Sequence, residues 1–440
     1  MFKTVMPLSA ILSLRFFGLF LVLPVLSVYA LALQGATPLL IGVIVGGYAL
    51  TQAIFQVPFG IMSDKIGRKP TLLIGLVIFL VGSIICAVST DIYMLMFGRF
   101  LQGAGAIGAV IPAMISDLVA EESRGKAMAL MGGSIAMSFA FAMALGPIIA
   151  AHYGMGTLFW IAAILSIVSM IVLFTKVPTP PRIRHIYHST TTTRDILKDP
   201  NLLNMVIING MQKGLMTVAF VLIPILLTQS QYGFGWDKAE LWKVYVPALV
   251  LGLIAMGPAA VFGEKYNKPK QIFLISIVLF IVSFTLMGFA TKSWEFVLGV
   301  VSFFMAFNMM EPLVQSMISK FAKVHQRGAA LGIANGVAYF MTFIGGIVAG
   351  LGLEYGNKET LSLSLIVVST LWLLWTMKLS NPLRYSHLYL PMEHVDEAKL
   401  NDLEHEHIAE WYINETENLV VVKYRKDLME EETIKAKIVK

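Results

Sequence analysis

The chain has 440 residues, of which 57% are hydrophobic and only 14% are charged, and its mean hydropathy is +0.75. This composition is too apolar for a soluble domain and predicts a protein that crosses a membrane many times. Many of the basic residues behind the net charge of +6 lie in short loops, where they indicate orientation, so nucleic-acid binding is not expected.

Apolar stretches alternate with short polar loops along most of the chain. Each is compatible with the roughly 20 residues that a helix needs to cross the hydrocarbon core, so we predict about twelve spans. The first stretch lacks a small-residue cleavage site, and we interpret it as a membrane helix rather than a secretion signal. The predicted spans are 8–33, 39–62, 71–89, 92–116, 127–151, 156–175, 202–228, 241–262, 271–290, 295–318, 328–351 and 360–379.

Lysine and arginine are concentrated in the loops on one side of these spans, which we call the basic face; the other side is the opposite face. Because cytoplasmic loops carry an excess of basic residues, we expect both termini to be cytoplasmic. The basic face carries Lys3, Lys65, Arg68, Lys69, Arg124, Lys126, Lys176, Arg182, Arg184, Lys265, Lys268, Lys270, Lys320, Lys323, Arg327 and Lys378; the opposite face carries Lys238, Lys243, Lys292 and Lys358. The single cysteine, Cys86, lies in an apolar stretch and excludes an internal disulfide.

Three patterns of small, polar and charged residues lie in the first half of the chain. The loop between the second and third spans carries Gly60, Asp64, Gly67, Arg68 and Lys69. The fourth span carries Gly98, Arg99, Gln102, Gly103 and Gly105, and the fifth carries Ala142, Gly146, Pro147, Ala150 and Ala151. Orientation alone does not need an acid at a set distance from a helix glycine, so we interpret the loop as functional.

Together these patterns resemble the signatures of the major facilitator superfamily of secondary transporters. The fifth-span pattern, Gly146 and Pro147 included, resembles the one characteristic of antiporters, with alanines where glycines are usual. The resemblance covers residues 1–380. The amino-acid sequence of the first span, together with the appended polar module, looks like that of the YajR group of proton-coupled drug efflux proteins. It implies an all-α membrane protein of twelve transmembrane helices in two pseudo-symmetric six-helix bundles, with helices one, four, seven and ten lining a central cavity.

The chain also repeats itself at a spacing of about 200 residues, as expected of two related bundles. Residues 22–26 (VLPVL) recur as 222–226 (LIPIL), and the sequence around Arg124 recurs around Arg327. The second half keeps an altered copy of the loop in Glu264, Lys265, Asn267 and Lys268, without its glycine. We predict a first bundle over 1–176, a cytoplasmic linker over 177–200 and a second bundle over 201–380.

Residues 381–440 are polar and form a separate cytoplasmic module in this prediction. Strand-like and helical segments follow in the order strand, helix, strand, strand, helix, which resembles a ferredoxin-like βαββα module whose fourth strand is truncated or absent. His405 and His407 are more often solvated than metal ligands in such a setting, and no metal site is expected. Its partner and role stay open.

Four charged residues lie well inside predicted spans, where a charge normally faces a cavity or a partner: Arg15, Arg99, Lys213 and Glu311. Glu311 is the only acid among them, and we predict that it carries the coupled proton, with Arg99 as the second coupling residue. The alternative is a permanent structural salt bridge between Glu311 and Lys213. Three cations against one acid favour an anionic or amphipathic substrate.

The resemblance also suggests which residues line the substrate cavity and which close it. The predicted cavity residues are Arg15, Phe16, Tyr48, Gln52, Gln56, Gln102, Asn209, Lys213, Phe307, Asn308, Asn335 and Tyr339. A polar residue among them is about as well explained by hydrogen bonds between helices. The predicted cytoplasmic gate consists of Gly60, Asp64, Gly67, Arg68, Lys69 and Asp117, with Asp64 close to Arg327 and Arg68 within reach of Asp117.

The sequence therefore predicts a proton-coupled efflux antiporter for a drug-like molecule or metabolite, in the inner membrane of a bacterium. The alternatives are a proton-coupled uptake symporter and a membrane sensor acting through residues 381–440. No enzyme motif is recognisable. We expect no cofactor, the proton gradient as energy source, and a monomer whose partners are a small-molecule substrate, protons and lipid.

Overall fold

A computed structural model describes residues 2–179, 198–230, 233–322, 327–380, 385–396, 399, 408–415, 417–425 and 428–438. The first half contains α1 (Phe2–Leu21), α2 (Leu23–Ala30), α3 (Pro38–Ile66), α4 (Arg68–Ala87), α5 (Ile92–Ala104), α6 (Val110–Leu118), α7 (Glu121–Tyr153) and α8 (Met155–Thr175). The second half contains α9 (Pro200–Thr228), α10 (Trp242–Ala260), α11 (Pro269–Phe289), α12 (Ser293–Phe321), α13 (Arg327–Tyr355) and α14 (Lys358–Thr376). Most of the predicted linker lies outside these ranges, and the division into domains stays a prediction.

Eleven helical segments in the described ranges are long and apolar enough to cross a membrane. The predicted fourth span is not one of them, because it is divided into α5 and α6 with a break at residues 105–109. Pro112 in α6 has no N–H to donate to the carbonyl of residue 108, which disfavours a continuous helix here. Gly105 lies at the break, where a β-carbon would come within 2.3 Å of the Gly75 carbonyl oxygen. A twelfth crossing thus rests on whether α5 and α6 cross together.

At the opposite face the two halves pack together through backbone contacts between α3 and α13. A β-carbon on Gly42 would lie 2.0 Å from the Gly346 carbonyl oxygen, and one on Gly346 would lie 2.2 Å from the Gly42 carbonyl oxygen. Close to this seam, the Leu39 backbone N–H donates to the Glu354 carboxylate at 2.9 Å. Glycine is required here because any side chain would separate the helices.

At the basic face helices of the two halves lie apart. Gly132 and Gly133 of α7 and Gly332 and Gly336 of α13 have no heavy atom within 4 Å of the point that a β-carbon would occupy. In α3, residues 41–49 are buried except Val43, whereas Ile54, Val57 and Ile61 toward its basic end are exposed. The described residues therefore form a cleft between the halves that is open toward the basic face and closed toward the opposite face.

The C-terminal module contains β1 (Tyr385–Pro391), β2 (Ile408–Asn414), β3 (Leu419–Arg425) and α15 (Glu431–Ile438). The strands form an antiparallel sheet in the order β1-β3-β2, so β3 is hydrogen-bonded on both sides. The helix covers one face through Ile434 and Ile438, which pack with Leu388 and Val422. The predicted strands and last helix are present, but most of the segment between β1 and β2, with His405 and His407, lies outside the described residues. The ferredoxin-like arrangement stays a prediction.

The glycine seam leads to a testable prediction. Replacing Gly42 by alanine should destabilise the arrangement that is closed at the opposite face by about 1–3 kcal/mol, the usual cost of overpacking. The protein should then spend less time open at the basic face, and a membrane-impermeant maleimide should label a cysteine placed at Gly132 more slowly. Gly332→Ala is the matched control, because no heavy atom lies within 4 Å of its β-carbon position. Equal labelling rates in the two variants would contradict the seam.

Candidate ion-pair site and gate

The site begins with an ion pair between α9 and α12. Lys213 Nζ lies 2.7 Å from Oε1 and 2.8 Å from Oε2 of Glu311. Gln212 Nε2 donates to Glu311 Oε2 at 3.0 Å and to the Phe307 carbonyl oxygen at 3.0 Å. The carboxylate therefore has both oxygens occupied, and the pairing that the sequence suggests is present.

This ion pair faces the space between the halves. The Glu311 side chain is 38% exposed and that of Lys213 is 23% exposed, although both lie several turns from the ends of their helices. The other carboxylates of the described spans lie near helix ends. Glu311 is thus an interior acid with access to the cleft.

A layer of aromatic rings forms the floor of the cleft beside this pair. Phe139 of α7 lies 5.1 Å from Phe20 of the first half and 6.0 Å from Phe307 of the second, measured between ring centroids. Phe16 stacks on Phe20 at 5.4 Å, and Lys213 Nζ lies 4.9 Å above the Phe307 ring. Phe16 and Phe307 were predicted from the sequence but Phe20 and Phe139 were not, because α7 has no amphipathic pattern that would single out one of its faces.

The two arginines predicted to lie inside spans do not join the ion pair. Arg15 and Arg99 are fully buried. Arg99 donates to Gln102 Oε1 at 2.8 Å and lies 4.8 Å above the Tyr48 ring, so its contacts are within the first half. None of these contacts joins Arg99 to Glu311.

Arg15 has weaker partners. Its Nη2 donates to Gln52 Oε1 at 3.4 Å, and its guanidinium lies 5.4 Å from the Phe79 ring centroid and 5.7 Å from that of Phe16. Its Nε and Nη1 have no hydrogen-bond partner among the described atoms. Arg15 is therefore a desolvated cation without a described acid beside it.

The remaining predicted cavity residues fall into different environments. Tyr339 of the second half and Gln52 of the first meet at the break in the fourth span, 3.8 and 3.4 Å from the β-carbon position of Gly108. Asn335 Oδ1 accepts from Asn209 at 3.3 Å and from Gln315 at 3.1 Å, within the second half. Gln56 is half-buried on the basic side of Gln52 along α3.

Asn308, another predicted cavity residue, lies at a contact between two helices. It is 5% exposed, and its side chain donates to the carbonyl of Phe304 on its own helix at 2.8 Å. Its amide nitrogen would lie 2.6 Å from a β-carbon on Gly252 of α10, so it fills a close contact between α12 and α10. In the described arrangement Asn308 therefore packs at the interface between α10 and α12.

The predicted gate forms a charged cluster at the basic face. Arg68 donates to Asp117 Oδ2 at 2.7 Å, to Asp64 Oδ1 at 2.6 Å and to Ser63 at 2.5 Å. Asp64 is 68% exposed, Lys69 is half-buried, and the side chain of Arg327 lies outside the described residues. These three hydrogen bonds of Arg68 lie within the first half, and Ser63 is a member of the cluster that was not predicted from the sequence.

Backbone geometry explains the glycine of this loop and its absence from the second copy. Gly67 has a φ of +103° and a ψ of 159°, a combination that is essentially restricted to glycine. Asn267 has a φ of +57°, in the left-handed region that asparagine tolerates. In the second half Glu264 pairs with Lys320 and Ser316 at the end of α12, so both halves have an acid bound next to the corresponding turn.

The fifth-span pattern serves close packing. A β-carbon on Gly146 would lie 2.2 Å from the Leu21 carbonyl oxygen, at the point where α1 gives way to α2. In the second half, a β-carbon on Gly345 would meet the Gly214 carbonyl oxygen at the same distance of 2.2 Å. The two halves thus repeat this contact, although Pro147 has no counterpart beside Gly345.

Comparison with known proteins identifies the family. The model of the Major Facilitator Superfamily matches residues 8–262 and 234–411. The chain belongs to the major facilitator superfamily. The resemblance seen in the sequence is confirmed, and the protein is a multi-pass membrane transporter rather than an enzyme.

Individual relatives agree with this assignment. The chain is 36% identical to the inner membrane transport protein YajR of Escherichia coli over 94% of its own length and 92% of the relative's. It is 28% identical to the class B tetracycline resistance protein of Escherichia coli, over 66% of this chain and 73% of that protein. The crystal structure of a D-xylose–proton symporter shares the fold with a TM-score of 0.68 at 16% identity, covering 86% of this chain and 98% of that one.

The ion pair generates the second prediction. Lys213→Met alone leaves the Glu311 carboxylate without its cation and should lower the free energy of unfolding by about 1–3 kcal/mol. The double variant Lys213→Met, Glu311→Gln removes both charges and should recover most of that loss. Thermal unfolding of the purified single and double variants measures the coupling. Additive losses would show that the two side chains do not interact.

Proposed function

We propose that the protein is a proton-coupled antiporter that exports a small molecule by alternating access. Twelve crossings, with α5 and α6 together making the fourth, would form two six-helix bundles that rock about the aromatic floor. The observation that carries the proposal is the Lys213–Glu311 salt bridge, which lies inside the spans and at the closed end of a cleft open to one face. The names of the inner membrane relative YajR and of the tetracycline resistance protein support export from a bacterial cytoplasm across the inner membrane, with the basic face cytoplasmic.

The pair supplies a way to couple a proton to the change of access. In this proposal the described arrangement is the one before proton binding, because both carboxylate oxygens of Glu311 accept hydrogen bonds from Lys213. Proton binding to Glu311 from the opposite face removes one charge and releases Lys213 from its partner. Substrate binding and proton binding both change the charge around Lys213 and Glu311, so that each disfavours the other. Such competition is required for exchange.

The buried arginines favour a substrate with an anionic group. Arg15 and Arg99 carry two positive charges inside the first half, while Lys213 and Glu311 neutralise each other. Arg15 lies 5.7 Å from the ring centroid of Phe16 and near Gln52, which meets Tyr339 of the second half. Movement of the halves relative to each other would uncover its free N–H groups, and a desolvated guanidinium binds a carboxylate well.

Exchange of Glu311 for glutamine tests proton coupling. In vesicles with the wild-type protein, one pH unit should support about a tenfold substrate gradient for each exchanged proton. Glu311→Gln should still permit equilibration of substrate down its own gradient but no accumulation driven by pH. Substrate flux and internal pH are recorded together. Undiminished pH-driven accumulation would refute the role of Glu311, and protons moving with the substrate instead of against it would show a symporter.

Substitution of Arg15 tests whether the substrate carries an anionic group. For a ligand and its uncharged methyl ester, Arg15→Gln should weaken binding of the acid by about tenfold or more, as expected for loss of a charge-assisted hydrogen bond, and leave the ester unchanged. Arg15→Lys keeps the charge and should retain part of the preference. Ligand-dependent thermal shifts across a panel of acid and ester pairs provide the measurement. Equal losses for acid and ester would argue against an anion site.

A further inference from the structure

The C-terminal module touches both halves of the transporter at the basic face. Glu417, in the turn between β2 and β3, forms a salt bridge with Arg124 at the start of α7 in the first half. Lys423 of β3 lies 3.5 Å from the Lys320 carbonyl oxygen and 3.4 Å from that of Ala322, at the end of α12 in the second half. We propose that the module is a strap that holds the halves apart at the basic face and so stabilises the open cleft.

Both attachment points are fixed in their own half. Arg124 Nε also donates to the carbonyl oxygens of Ser116 at 3.2 Å and Val119 at 3.3 Å, at the end of α6 beside Asp117. Lys423 is 6% exposed, and its ammonium approaches carbonyls at a helix C-terminus, where the helix dipole favours a cation. Neither side chain is a free surface charge that meets the other half by chance.

Each attachment point also lies next to a charged cluster of its own half, which is Arg68 with Asp117 in the first half and Glu264 with Lys320 in the second. The carbonyls of Ser116 and Val119 flank Asp117, which binds Arg68. Lys320, whose carbonyl faces Lys423, binds Glu264 through its side chain. The module therefore connects the Arg68 cluster of the first half to the Glu264 cluster of the second half.

The segment between the two contacts is stiff. It runs along β3, the central strand of the sheet, which is hydrogen-bonded to β1 and β2. From Leu419 to Lys423 the strand rises about 3.4 Å per residue, or roughly 14 Å, and Glu417 lies two residues before it, so the two contacts are held apart by the length of the strand. A paired strand cannot shorten, and closing the cleft would bring Arg124 and the end of α12 closer together. At least one contact must break for the cleft to close.

The experiment measures the populations of open and closed cleft in the full chain. Spin labels on cysteines at Gly132 of the first half and Gly332 of the second, where a β-carbon meets no heavy atom within 4 Å, report the distance between the halves at the basic face. Cys86 is 1% exposed and should not react. Glu417→Gln should raise the ratio of closed to open molecules by about tenfold, the effect expected for loss of one charge-assisted hydrogen bond. Glu432→Gln, the same change on the exposed α15, is the control and should leave the ratio unchanged.

A second variant tests whether the two contacts act together as a strap or independently of each other. Lys423→Met should give a similar shift toward the closed cleft, and the double variant should shift little further, because releasing either end frees the halves. An unchanged ratio in both single variants, a shift toward the open cleft, or fully additive shifts would each overturn the proposal. The readout needs neither substrate nor a proton gradient, so its outcome is independent of the proposed antiport.

Discussion

The cost of a charge in a low-dielectric interior is the constraint that shapes this transporter. Glu311 remains inside the spans because Lys213 and Gln212 bind both of its oxygens. Glu311 can still exchange a proton in the proposed mechanism because the pair is partly exposed to the cleft. A fully buried pair would be a structural bond, and a fully solvated acid would not be sensitive to the state of its neighbours. The position of the pair at the closed end of the cleft satisfies both requirements.

The shape of the cleft follows from where backbones approach and where they do not. Gly42 and Gly346 let α3 and α13 touch at the opposite face, while Gly132 and Gly332 face open space at the basic face. Phe139 marks the level at which the halves separate, since its ring contacts both of them. Glycines therefore allow close contact between the halves at the opposite face, and glycines at the basic face border open space.

The gate and the C-terminal module act on the same end of the molecule. The Arg68 cluster is held within the first half, and the pairing of Glu264 with Lys320 is held within the second. The module contacts the neighbourhood of both through Glu417 and Lys423. The polar C-terminal module thus lies where it can influence the opening of the cleft at the basic face.

The class of protein could be predicted from the sequence, because apolar stretches of membrane length and an acid inside a span have few physical explanations. The pairing of Lys213 with Glu311 and of Arg68 with Asp117 was equally predictable, since unpaired charges there would be costly. Helix packing, in contrast, decided that the fourth span is broken, that Asn308 fills a helix contact and that Arg15 and Arg99 lie apart from Glu311. It also decided the placement of Phe139 and the two contacts of the module. These depend on which helix faces meet across long sequence separations, and hydropathy does not encode that for helices that are apolar on every side.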